Sequence, residues 1–86
     1  SEMLNLHYNM GLAYHSLGNH DKAIHHFRTS TKRFPNEAKS HRALGFTYIA
    51  VNKNLEAARA LTRALELDPD DTQIKETLGT LSERDN

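Results

Sequence analysis

Six histidines are the residues of this 86-residue chain best able to do chemistry, at positions 7, 15, 20, 25, 26 and 41. A zinc site needs three or four ligands converging in space, and on a helix that often means two histidines four residues apart. No two of the six have that spacing. His20, His25 and His26 fall near one predicted helix start, without a carboxylate in helical register, and read as a solvated outer face. His7 and His41 occupy equivalent places in a long internal repeat and read as partly buried packing residues. Burial of such rings would depress their pKa and make stability fall below about pH 6. No other catalytic constellation is visible. There is no cysteine, no glycine-rich phosphate loop and no serine or carboxylate pair at a spacing that defines a site. Ser16, Ser30 and Ser40 read as helix surface or small packing residues. Neither enzymatic activity nor a cofactor or metal is expected.

Composition narrows the classes further. At 86 residues, 37% hydrophobic and 26% charged, the chain has the makeup of one small globular domain. A core of this size buries only about 60% of the unfolded surface, so it has little stability to spare. Eleven Lys and Arg balance eleven Asp and Glu, which argues against a nucleic-acid partner. Residues 1–42 nevertheless carry six bases and three acids, and residues 43–86 five bases and eight acids, so one half is at +3 and the other at −3. No apolar run approaches the roughly 20 residues of a membrane span, and no signal peptide opens the sequence. Direct membrane insertion is not expected, and a soluble, cytoplasmic setting is favoured. The opening Ser1-Glu2-Met3 falls inside a helical pattern, as in a piece of a longer protein.

The elements that would position these residues are helices, written twice. Sliding the chain over itself until His7 falls on His41 also sets Gly11 on Gly45, Tyr14 on Tyr48, Ala23 on Ala57 and Pro35 on Pro69. Conservative pairs support the register: Met10 with Leu44, Leu12 with Phe46, Leu17 with Val51, Phe27 with Leu61. A third copy begins at Thr72, with Leu78 and Gly79 one period after Leu44 and Gly45. Within each copy the apolar residues recur at three or four positions, the period of an amphipathic helix. Gly18-Asn19 and Asn52-Lys53 break each copy into a helical hairpin, and Pro35 and Pro69 mark the joins. Asn36 is expected to cap the third helix, and Asp70 with Gln73 to form a capping box on the fifth. Gly11 and Gly45 sit mid-helix, where glycine costs about 1 kcal/mol relative to alanine. They predict a close helix approach, with Ala23 and Ala57 on the partner helix and Tyr14, Tyr48, Phe27 and Leu61 filling the space beside it.

This pattern resembles the tetratricopeptide repeat family. The family's spacing of a large residue, Leu-Gly, Tyr, Ala, a second large residue, Ala and Pro is matched by His7, Met10, Gly11, Tyr14, Ala23, Phe27, Ser30 and Pro35. The second copy matches it with His41, Leu44, Gly45, Tyr48, Ala57, Leu61, Ala64 and Pro69. Departures are the histidine in place of an aromatic or leucine, Ser30 for alanine, and Ser82 for the third tyrosine. The resemblance implies an all-α solenoid, a single domain over 1–86, with repeats at 4–37 and 38–71 and a capping helix or partial third repeat over 72–86. Each hairpin would leave an apolar face that the next one covers, which explains why only contact residues recur.

In that family the first helix of each repeat lines a concave surface. Helical geometry places Asn5, Tyr8, Asn9, Leu12, His15 and Ser16 opposite the packing stripe in the first copy. In the second these are Lys39, Arg42, Ala43, Phe46, Ile49 and Ala50, and the fifth helix adds Gln73, Glu76, Thr77 and Thr80. The expected function is non-catalytic: a groove that binds a peptide or partner helix, with Asn5, Asn9, Lys39 and Arg42 as polar contacts and Tyr8, Leu12, Ala43 and Phe46 as the apolar lining. Some co-chaperones of the family clamp a heat-shock protein's C-terminal carboxylate with five residues. Asn9 and Lys39 match two of them, while Ala43 stands where the arginine would be, so that ligand is the lesser expectation. Two alternatives are self-association into a homo-oligomeric scaffold through the +3 and −3 halves, and service as a regulatory segment of a larger enzyme.

Overall fold

A computed structural model describes the backbone of residues 2–84 and the side chains of residues 5–83. The chain forms five helices: α1 (Glu2–Ser16), α2 (His20–Arg33), α3 (Ala38–Ala50), α4 (Asn54–Leu67) and α5 (Thr72–Arg84). There is no strand among the described residues. Successive helices pack on one another, α1 on α2, α2 on α3, α3 on α4 and α4 on α5, in a body 40 × 26 × 18 Å across.

The turns follow from the residues placed in them. Gly18 and Asn52 hold φ at 78° and 64°, the left-handed region that lets a chain reverse within two residues. Asn19 caps α2 by accepting from the amide of Lys22 at 3.2 Å. The expected caps of α3 and α5 are displaced by one residue. Glu37 is the N-cap of α3 and makes no side-chain capping bond. Asn36 accepts instead from Arg63 at 3.1 Å. On α5 the capping oxygen belongs to Asp71, which accepts from the Ile74 amide at 3.0 Å.

Both mid-helix glycines have the packing reason their position requires. A Cβ on Gly11 would lie 2.5 Å from the Phe27 ring, and one on Gly45 would lie 2.5 Å from Leu61. The core runs along this seam through Ala23, Phe27, Leu44, Tyr48, Ala57, Ala60, Leu61, Ala64, Ile74 and Leu81. Between α2 and α3 it is interrupted by a buried hydrogen bond of 2.7 Å between the Ser30 and Ser40 hydroxyls. Each satisfies the other's polar group, so neither is left unpaired in the interior.

Met10 departs from the expected packing role. Leu44 is 7% exposed because α3 lies against α2, whereas Met10, at the same place in the first copy, is 38% exposed. Leu6 and Leu17 on the same helix stretch are exposed as well. Among the described residues no element covers that side of α1. No helix of the described residues is long and apolar enough to cross a membrane.

Candidate functional site

The repeat register places two turns of α1 beside two turns of α3, and the side chains between them line a cleft of about 430 Å³. Its walls are Tyr8, Leu12 and His15 from α1 and Lys39, Arg42, Ala43 and Phe46 from α3, with Gln73 of α5 at one end. Phe27 and Thr47 line it from below. Tyr8 packs against Phe27 with ring centroids 6.0 Å apart, joining the wall to the core.

Two cations lie over the aromatic walls. Lys39 Nζ sits 4.8 Å from the Tyr8 ring centroid and the Arg42 guanidinium 4.9 Å from that of Phe46. Such placement favours a cation through the ring's quadrupole and covers the apolar face with the side-chain stem. Lys39 also donates to the Asn5 side-chain oxygen. Arg42 donates to Asp71 at 2.9 Å and to the Gln73 side-chain oxygen. The Ile74 amide that Asp71 caps holds its carboxyl below the usual range, burial opposes this, and Arg42 adds to the lowering. One acid from the turn before α5 thus fixes both the helix start and the orientation of a groove arginine.

Eight of the sequence-derived groove-face residues therefore gather round one cleft: Tyr8, Leu12, His15, Lys39, Arg42, Ala43, Phe46 and Gln73. Asn5 reaches it through Lys39. Asn9 does not line it; it faces outward on α1, beside Leu6, Met10 and Ala13. Ser16 and Ala50 are exposed at helix ends, and Ile49 is half-buried against the core. On α5 the hydroxyls of Thr77 and Thr80 bond back to the Gln73 and Glu76 carbonyls of their own helix. Sequence reasoning assigned Phe27 to the core alone. The mid-helix Gly11 was the signal that its ring could reach across, because nothing but hydrogen stands between that ring and the α1 backbone.

The histidines separate into two arrangements. His41 Nε2 donates to the Pro35 carbonyl at 2.8 Å, tying α3 to the turn before it. His7 and His26 instead face each other, with their Nδ1 atoms 3.1 Å apart. The expected solvated face holds for His25, but His26 is half-buried in this contact and His20 Nδ1 is buried without a hydrogen-bond partner. Among the described residues no three His, Cys, Asp or Glu side chains gather as metal ligands.

Helix order, glycine-mediated approach and hairpin register together define a helical-repeat protein. The tetratricopeptide repeat family model matches residues 2–70, and the chain belongs to that family. It is similar to Superkiller protein 3 of Schizosaccharomyces pombe, 32% identical over 75 residues, which cover 87% of this chain and 5% of that protein's length. Among solved structures it is similar to the first TPR of Spaghetti (RPAP3) bound to HSP90 peptide SRMEEVD. That likeness has a TM-score of 0.88 at 23% identity and covers 94% of this chain and 64% of the other.

Proposed function

We propose that the chain is a non-catalytic protein-interaction module whose cleft between α1 and α3 receives an extended peptide or a partner's helix. The observation that carries this reading is the cleft itself: two aromatic walls, each overlaid by a cation, around a space of about 430 Å³. That volume suits one or two apolar side chains of a ligand, which Tyr8, Leu12, Ala43 and Phe46 would contact. Lys39, held by Asn5, would meet a carboxylate or backbone carbonyl. Arg42 already has Asp71 and Gln73 as partners, so a ligand gains from it mainly by stacking on its plane or by displacing those groups. Asn9 would serve a ligand that continues over the outward face of α1. The peptide held by the Spaghetti structure supports a peptide as the class of ligand.

The test is selection of peptides from a displayed random library on the 86-residue chain, followed by fluorescence-polarisation titration of the selected sequences. Phe46→Ala and Leu12→Ala should each weaken them about tenfold, the loss expected when a buried apolar contact of roughly 1.4 kcal/mol is removed. Unchanged affinity in both variants would remove the cleft as the binding site.

Self-association is the second reading, favoured by the exposed Leu6 and Met10 on one side of α1 and Leu17 just after it. Light scattering over concentration and salt tests it. A mass that rises with concentration supports it, and a constant monomer mass removes it.

A further inference from the structure

The two hairpins differ most where α1 meets α2. Superposing the repeats sets His26 against Ala60, His25 against Arg59 and Lys22 against Glu56. In the second hairpin that place is apolar, with Ala60 and Tyr48 both buried. In the first, His26 stacks on His7 with centroids 5.3 Å apart and a 23° tilt, and on Tyr14 at 5.4 Å and 8°. His7 and Tyr14 are two turns apart on α1, so the imidazole from α2 is wedged between them.

Two Nδ1 atoms 3.1 Å apart can be joined by one proton, carried by one ring and accepted by the bare nitrogen of the other. Once both rings are charged every ring nitrogen carries a proton, so the acceptor is gone and two cations are in contact. The Tyr14 face can stabilise one such cation, but the charges that act on His26 are themselves basic. From α2, Lys22 lies 5.3 Å over the Tyr14 ring, and the His25 ring meets His26 edge-on at 5.0 Å. His15 and His20 pair with each other, with ring centroids 5.2 Å apart. The basic groups of α3 are turned elsewhere: Lys39 to Asn5 and Tyr8, His41 to the Pro35 carbonyl, Arg42 to Asp71. Among the described residues, the acids that form ion pairs are Asp71 and Glu66, and neither pairs with His7 or His26.

We propose that His7 and His26 form a proton-operated latch on the α1–α2 hairpin, closed while they share one proton and released when both rings are charged. The latch adjoins the cleft. Tyr8 follows His7, Phe27 follows His26, and those two rings pack together at the cleft wall. Loosening α1 from α2 therefore loosens Tyr8 and Leu12, and the cleft holds its peptide at neutral pH and releases it on acidification. This last step rests on the cleft reading; the latch itself does not.

Burial, followed by the charges of His25, His7 and Lys22, holds the His26 pKa below 6.5. The unfolded chain therefore takes up this proton near pH 6.5 and the folded chain only at lower pH. Stability is full above about pH 6.5, falls as the pH drops toward the lowered value, and is flat beneath it.

The first experiment is hydrogen exchange of the whole chain at pH 7.5 and 5.5, corrected for intrinsic rates. Protection in α1 and α2 should fall more than in α3 and α4, the direction that the lowered His26 pKa dictates. His26→Ala, which installs the residue α4 carries at this place, should abolish that difference. Because this variant could loosen the hairpin at every pH, the histidine NMR spectrum provides a second readout. At pH 7.5 the proton between the two Nδ1 atoms should give a hydrogen-bonded imidazole resonance, lost at pH 5.5 and in His26→Ala. Equal loss of protection in both hairpins, or no shared-proton resonance at pH 7.5, overturns the latch. Peptides selected on the cleft should bind more weakly at pH 5.5 than at pH 7.5, and His26→Ala should remove that difference. A chain that shows the exchange difference yet binds no such peptide at pH 7.5 keeps the latch and loses the cleft reading.

Discussion

The α1–α2 and α3–α4 hairpins share a backbone plan and differ in how they use it. Both bring a glycine of the first helix against a large side chain of the second, Gly11 on Phe27 and Gly45 on Leu61. Around that contact the second hairpin is apolar, through Ala60, Ala64 and Tyr48. The first is polar, with His26 and Ser30 in the places of Ala60 and Ala64. The second is also flanked on both sides, by α2 and by α5, whereas α1 leaves Leu6 and Met10 exposed. The lesson is that a repeat conserves the contact that sets interhelical distance and leaves the surrounding shell free to acquire other properties.

The largest effect should come from emptying that contact. Phe27→Ala removes a side chain that is 1% exposed and should cost about 3–5 kcal/mol, against about 2–5 kcal/mol for Leu61→Ala, measured by urea denaturation. Phe27→Ala should also enlarge the cleft and weaken its peptides, which Leu61→Ala should not. A loss for Phe27→Ala well below the range of Leu61→Ala would mean that the first hairpin is not anchored as the second is.

Glycine substitutions sharpen the comparison because their sign should change along the chain. Gly45→Ala drives a methyl into Leu61 side-chain atoms at 2.5 Å with backbone nitrogen at 3.3 Å behind them, for a loss of about 1–3 kcal/mol in thermal or urea unfolding. At Gly79, the equivalent place in the third copy, a Cβ would meet nothing within 4 Å. Gly79→Ala should therefore stabilise by up to about 1 kcal/mol through helix propensity alone. Destabilisation at Gly79 would reveal a packing partner for α5.

The smallest net effect should come from replacing Ser30 and Ser40 together, whose counterparts at the α4–α5 contact are Ala64 and Ile74. Ser30→Ala alone strands the buried Ser40 hydroxyl and should cost about 1–3 kcal/mol. With both serines changed to alanine no polar group is stranded, and the loss should fall well short of the sum of the single changes, which a double-mutant cycle reads directly. Additivity would show that the hydroxyls do not depend on each other.

Much of this was legible beforehand because it depends on spacing. The five helices follow from apolar residues at helical period and from Gly18, Asn52 and the two prolines, which break that period for reasons internal to their own backbones. The close approach at Gly11 and Gly45 was legible because a costly residue in mid-helix demands a reason. The caps were less so: Asp70 and Asp71 are chemically equivalent neighbours, and only the final turn geometry chose the second.

The sequence by itself determined the fold class, the hairpin register and which side chains share a helix face, since each depends on residue type and separation along one helix. Tertiary structure alone decided which of those faces close on each other. It turned Asn9 away from the cleft, brought Phe27 into it, engaged Arg42 with an acid at the start of α5 and set His26 against His7 rather than in solvent. Those outcomes depend on the distance and rotation between helices, which is a collective result of packing the whole seam and is carried by no single segment of the chain.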